Sequence, residues 1–312
     1  MSSSQRPGPR HILVALALFV PLTLLSNAAI LAAEPGTPVQ IEAAGRTLNG
    51  WWTEVDDPRA TVLMVHGTLA HANMEIMTTL AEVFSEHAIE SLRISLSLGL
   101  DDRHGMLDCG LTHRHRHEDA VDEIAAWFRW LDQRGRSSVL LLGHSRATNQ
   151  VTRYAVRKDL QAPAAMVLVA PAVRNADADA RYEASNGQVL APLLDRATEL
   201  VESGQGDEVL GRVAFLHCDD AEVTAASFLS YYADDPAFDT LGLAASAGIP
   251  VIVFAGSEDP LSRGVDAAIV DYQQNAPLDF VMIDGADHFF RDLYAYDLVE
   301  AVQAWIDAME TP

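Results

Sequence analysis

The sequence predicts a doubly wound α/β architecture, built on a mostly parallel eight-stranded sheet, from three observations. Short apolar runs recur at 61–65, 139–142, 250–255 and 280–283, and each ends at a Gly, His or Asp. Between them lie stretches with apolar residues at helical spacing, such as Val121, Ile124, Ala125, Phe128 and Leu131. The alternation stops once, over 174–248, and resumes afterwards. Continuous apolar runs separated by helices are strands buried on both faces, which is the pattern of a parallel sheet. An interruption of about 75 residues inside a compact domain marks an insertion with a role of its own.

In chain order, strands are expected at 39–44 and 48–55, joined through Gly45, and then at 60–66. A helix over 74–86 follows Asn73, a residue type that caps helix amino ends well. The fourth strand is 89–96 and a helix covers 118–131. The fifth strand ends at Gly143 and leads into a helix over 146–158, followed by the sixth strand at 166–169. The insertion carries helical patterns at 189–201 and 221–232. Two further strands end near Asp259 and His288. A closing helix over 293–309 places Leu298, Val302, Trp305, Ile306 and Met309 on one face.

The amino terminus carries Arg6 and Arg10, an apolar core over 12–25 and small residues reaching Ala33. That order is a secretory signal peptide, with cleavage after Ala28 or, by preference, Ala33. Pro21 and the Ser26-Asn27 pair hold the apolar run below the ~20 residues a spanning helix needs. Residues 1–33 are therefore expected to be removed, leaving 34–312 as one domain in the periplasm or outside the cell. The chain has 21 basic and 44 acidic side chains, a net charge of −23, and Lys158 as its single lysine. So acidic a surface repels phosphate backbones and anionic lipid. It argues against nucleic-acid binding and against stable membrane association after cleavage.

Four strand ends carry the chemistry. Residues 143–147 read G-H-S-R-A, a G-x-S-x-G turn with Ala147 in place of the last glycine. Such a turn holds a serine hydroxyl out of the sheet at a helix amino end, beside a backbone N–H. The run 61–65 ends in His66-Gly67-Thr68, as a strand entering an oxyanion loop would. Asp259 follows the strand at 250–255, and His288 follows the one at 280–283. Nucleophile, acid and base thus occur in the order Ser145, Asp259, His288, each at the carboxyl end of a strand, where parallel sheets gather functional groups.

On these motifs the chain resembles the α/β-hydrolase superfamily from about residue 38 to its carboxyl terminus. The resemblance implies Ser145 as nucleophile, His288 as general base and Asp259 as its orienting acid, with Glu258, Asp284 and Asp287 as rivals for that last place. It implies an oxyanion hole from the backbone N–H groups of Thr68 and Arg146, a structural His66, and a helical lid at 174–248 after the sixth strand. No cofactor is required, and the partner is a small acyl substrate.

Two features remain. Cys109 follows the fourth strand and Cys218 lies in the insertion, and both segments are expected above the same sheet edge. In an oxidising compartment they read as a disulfide or as two buried thiols. The loop 101–119 alternates His113, His115 and His117. These are candidate metal ligands, but their spacing matches no specific site and the triad needs no metal, so the expectation is a polar loop. The expected function is an exported serine hydrolase, with a carboxylic ester the first substrate class. The alternatives are a thioesterase, a peptidase reading a free amine through Glu183, Asp195, Glu199 or Glu202, or a binding protein using the histidine loop.

Overall fold

The computed structural model describes residues 36–172, 178–274 and 276–310. The expected signal segment lies outside them, as do the first residues of the insertion. β1 (Thr37–Ala43) and β2 (Arg46–Thr53) form an antiparallel hairpin. Its two-residue turn, Ala44-Gly45, has positive φ at both positions, as the tight turn that matches strand twist requires. β3 (Ala60–Val65), β4 (Ile89–Ser95), β5 (Val139–His144) and β6 (Ala165–Val169) follow, connected by α1 (Glu75–Glu86), α2 (Asp119–Asp132) and α3 (Ala147–Ala155).

After β6 the insertion contributes α4 (Ala178–Asn186), α5 (Leu190–Glu202), β7 (Val209–Phe215), β8 (Cys218–Thr224), α6 (Ala225–Tyr232) and α7 (Thr240–Ser246). The main sheet then resumes with β9 (Val251–Gly256), α8 (Val265–Gln273), β10 (Leu278–Ile283) and α9 (Leu293–Glu310). Strand order is β1-β2-β4-β3-β5-β6-β9-β10, parallel from β4 to β10. Among the described residues no helix is long and apolar enough to cross a membrane.

Strand burial explains the unbroken apolar runs: every residue of β5, β6 and β9 is buried. One face of the sheet packs against α1 and α9 through Leu80, Phe84, Leu298 and Val302. The other packs against α2, α3, α7 and α8 through Trp127, Phe128, Val151, Leu241 and Ile269. Each such side chain contributes roughly 1.5–3 kcal/mol on burial. The insertion has a third apolar core of its own, with Phe215, Phe228 and Tyr231 packed with Leu69 and Leu107.

Three expectations are corrected. The insertion is not purely helical, since β7 and β8 form a separate two-stranded sheet. The helix expected at 221–232 starts only at Ala225. Residues 221–224 are drawn into β8 by pairing with β7, and Thr224 caps the helix by accepting the Ser227 N–H. Asn73 does not cap α1. Met74 holds that position without a side-chain bond, and Asn73 Oδ1 instead accepts from Arg93, which is buried in β4.

Cys109 and Cys218 are joined as a disulfide, with Cα atoms 5.5 Å apart and a sequence separation of 109. The bridge ties the loop after β4 to the start of β8. In the chain-entropy view, closing so long a loop contributes ~4–5 kcal/mol. Replacing both cysteines with serine should therefore lower the unfolding free energy of the oxidised protein, read from urea titration, by about that amount. Added reductant should shift the parent protein and leave the variant where it is.

Candidate active site

The turn after β5 is shaped by two close approaches. A Cβ at Gly143 would lie 2.6 Å from the Ala147 carbonyl oxygen and 2.8 Å from Val151 Cγ2, so strand and helix cross too tightly for any side chain there. Ala147 is fully buried, and its methyl group fits where a glycine was the expected type. Gly67 brings the loop after β3 alongside, since a Cβ there would be 3.2 Å from Ser145 Cβ. Ser145 itself has φ 55°, a left-handed conformation that costs a non-glycine residue about 1–3 kcal/mol. Its N–H donates to the Val169 carbonyl at 2.8 Å, which anchors the strained turn to β6.

The hydroxyl meets a continuous hydrogen-bonded series. Ser145 Oγ lies 2.9 Å from His288 Nε2, and His288 Nδ1 lies 2.8 Å from Asp259 Oδ2. The carboxylate fixes the tautomer: Nδ1–H donates to Asp259, which leaves the Nε2 lone pair for the serine proton. Asp259 is buried, and burial by itself pushes its carboxyl up. Donation from His288 and from the Leu261 N–H outweighs this and holds it below the usual carboxylate range. Of the rival acids, Glu258 is exposed and the other two are engaged elsewhere. Asp284 accepts from Ser257, and Asp287 accepts from Arg291 and from the Phe289 N–H.

The backbone N–H groups of Thr68 and Arg146 donate to no protein acceptor among the described residues. Both flank Ser145, one on the adjoining loop and one at the next position of the chain. His66 is buried, and its Nε2 accepts the Leu96 N–H at 3.0 Å, while Nδ1 lies 2.9 Å from the Gly67 carbonyl oxygen. Desolvation, with the Arg103 cation beside it, keeps this imidazole well below its ordinary pKa.

Two positioning residues were not singled out from the sequence. His144 Nε2–H donates to the His288 carbonyl at 2.9 Å, so the residue before the serine holds the backbone of the histidine. Burial lowers its pKa to about 4, which keeps it neutral. Arg103 donates to the carbonyls of Leu96 at 2.6 Å and Ala70 at 2.7 Å, pinning the Gly67 loop to the end of β4. His144 stood inside the motif, where a polar residue pointing into a buried strand end was the available sign. Arg103 looks like any other charged loop residue.

The histidine loop is a seam between the main domain and the insertion. His113 pairs with Val223 through its backbone, Ser227 Oγ donates to the His115 carbonyl at 2.6 Å, and the His117 N–H donates to Ser230 Oγ at 3.1 Å. All three rings are buried. His115 Nδ1 lies 2.8 Å from the Tyr231 hydroxyl, and its Nε2 lies 3.3 Å from His113 Nδ1. His117 Nε2–H donates to Asn149 Oδ1, an orientation set by Asn149 Nδ2 donating to Ala237 and Thr240. His113 Nε2 and His117 Nδ1 are buried without a hydrogen-bond partner among the described residues, and the three rings do not bring three ligand atoms to one point. Among the described residues, ligand atoms converge only at Cys109, His217 and Cys218, where both sulfurs are in the disulfide.

A groove of about 520 Å³ lined by Arg59, Thr61, Arg136 and Ile306 lies elsewhere, at the amino ends of β3, β5 and β6. Ser145, Asp259 and His288 all follow carboxyl ends.

This sheet order and this placement of groups at strand carboxyl ends define the α/β-hydrolase fold, and comparison with solved structures agrees. Est1E from Butyrivibrio proteoclasticus superposes with a TM-score of 0.57 at 16% identity, over 86% of this chain and 97% of that one. The esterase domain of a Rhodothermus marinus protein gives 0.55 at 17%, over 86% and 96%. The α/β hydrolase GrgF from Penicillium sp. sh18 gives 0.61 at 14%, over 88% and 97%. No family model and no curated protein sequence matches the chain.

The seam generates a pH expectation. Burial pushes His115 and His117 down to about 3, whereas in the unfolded chain they titrate near 6.5. The unfolded state therefore binds more protons between those values, and stability is lost as pH falls from about 6.5 toward 3. The thermal midpoint should drop across that window. Hydrogen exchange should show β8 and α6 opening first, with a shallower pH dependence in His117→Gln. A midpoint flat from pH 7 to 4.5 would contradict the neutral seam.

Proposed function

We propose that this chain is an exported serine hydrolase that cleaves an acyl bond, with a carboxylic ester as the first substrate class. The observation that carries the reading is the unbroken series Ser145 Oγ–His288–Asp259 beside two undonated backbone N–H groups. His288 Nε2 takes the hydroxyl proton as Ser145 Oγ attacks the carbonyl carbon, and Asp259 stabilises the imidazolium that forms. The tetrahedral oxyanion is received by the N–H groups of Thr68 and Arg146, each worth roughly 3–4 kcal/mol of transition-state stabilisation. On collapse, His288 returns the proton to the leaving alkoxide, giving an acyl-Ser145 ester and free alcohol. Water activated by the same imidazole then releases the acid and restores the serine.

The esterase named among the structural neighbours and the disulfide support, respectively, the ester reading and export to an oxidising compartment. The carboxylates that a peptidase would need for a free amine, Glu183, Asp195, Glu199 and Glu202, are exposed. The charged side chain next to the serine is instead a cation, Arg146, which disfavours an amine there.

Fluorophosphonate labelling of the mature protein tests the reading. Ser145 should be the modified residue, and Ser145→Ala should lose both labelling and at least about 10³-fold of ester turnover. A folded wild type that neither labels nor turns over any ester would refute it. His144→Phe, which loses the bond to the His288 carbonyl, should lower kcat by roughly 10- to 100-fold through misplacement of the base. His144→Gln, which retains an N–H donor, should recover part of that loss.

A further inference from the structure

We propose that the Arg146 side chain selects esters that carry a carboxylate close to the scissile carbonyl. This specificity rests on the serine-hydrolase reading and goes beyond it. The observation is a guanidinium with no counter-ion in a chain dominated by acids. The chain carries 44 acidic side chains against 21 basic ones, and other arginines meet them: Arg136 pairs with Glu90, Arg153 with Asp235, Arg212 with Asp220 and Arg291 with Asp287. No carboxylate among the described residues pairs with Arg146, although it immediately follows Ser145.

Its surroundings hold it in place without neutralising it. Arg146 Nε donates to Thr68 Oγ1 at 3.1 Å, which fixes one edge of the fork to the oxyanion loop. The guanidinium carbon stands 5.3 Å from the centre of the Tyr231 ring, contributed by the insertion. Its charge acts on His115, His117, His217, Tyr231 and Tyr232, with the imidazoles pushed down and the phenols pushed up chiefly by burial. At neutral pH every one of them is uncharged. A half-buried guanidinium that makes no ion pair among the described residues is open to one with a bound anion. The edge of the fork not used by Thr68 offers parallel N–H donors, the geometry that receives a carboxylate bidentately. The bulk negative charge of the protein repels anions in general, so selectivity of this kind has to be local.

The carboxylate can reside on the acyl portion or on the alcohol, and two substrate pairs separate these. The first compares monomethyl glutarate with methyl valerate, and the second compares 3-acetoxybenzoate with phenyl acetate. Within one pair the wild type should favour the charged member by at least tenfold in kcat/KM, and the pair identifies the side. In Arg146→Gln that ratio should fall at least tenfold, mainly through KM, with partial recovery in Arg146→Lys. Free glutarate should inhibit the wild type competitively and weaken as salt is raised, which needs no variant to fold. The proposal is overturned if the wild type prefers the neutral member of both pairs, or if the glutamine variant keeps the ratio. Either result, obtained with a protein that labels at Ser145 and hydrolyses neutral esters, leaves the hydrolase reading standing. Absence of labelling and of turnover on all four esters removes both.

Discussion

The crossing of β5 and α3 at Gly143 and Ala147 is the constraint on which the rest of the site depends. With no Cβ at 143, the helix starts within van der Waals contact of the strand end, and the chain between them has room only for a sharp turn. That turn forces Ser145 into a left-handed conformation. The strain is sustained because neighbouring elements overdetermine it: the Val169 carbonyl receives the serine N–H, and the Gly67 loop closes from the other side. A hydroxyl held this way has little freedom left to lose when it reacts.

Around that point the protein arranges polar groups so that each buried one has a reason for its protonation state. Asp259 stays ionised because its hydrogen bonds outweigh burial. His144, His115 and His117 stay neutral because burial dominates and their partners are carbonyl, hydroxyl or amide groups. Neutral histidines do structural work that charged ones could not. His144 orients His288, and the 113–117 ladder fastens the insertion to the main domain. The disulfide secures the same junction covalently, a few residues away on both sides. Arg146 is a half-buried cation tied to Thr68 with no ion pair among the described residues, one position along the chain from Ser145.

The insertion is the part whose sequence pattern misled most. Residues 221–232 carry helical periodicity throughout, yet 221–224 form strand β8. Backbone pairing with β7 on one side and with His113 on the other outweighs local preference there. In the same way Asn73, a good capping type by itself, turns away from α1 because the buried Arg93 needs an acceptor. The alternation of His113, His115 and His117 could not report that the His115 ring would meet Tyr231 on α6, the His117 ring Asn149 on α3, and the His113 ring that of His115.

The main sheet, its order of elements and the three residues Ser145, Asp259 and His288 were legible in the sequence. Strands buried on both faces must be continuously apolar, and groups at their carboxyl ends stand out against that background. What tertiary structure alone decided is which of several nearby groups meet. Asp259 rather than Asp284 or Asp287 reaches His288, Cys109 meets Cys218 at a sequence separation of 109, and the Arg146 guanidinium stands over the Tyr231 ring. Such pairings depend on distances of a few ångströms between segments far apart in the chain, and local periodicity carries no information at that range.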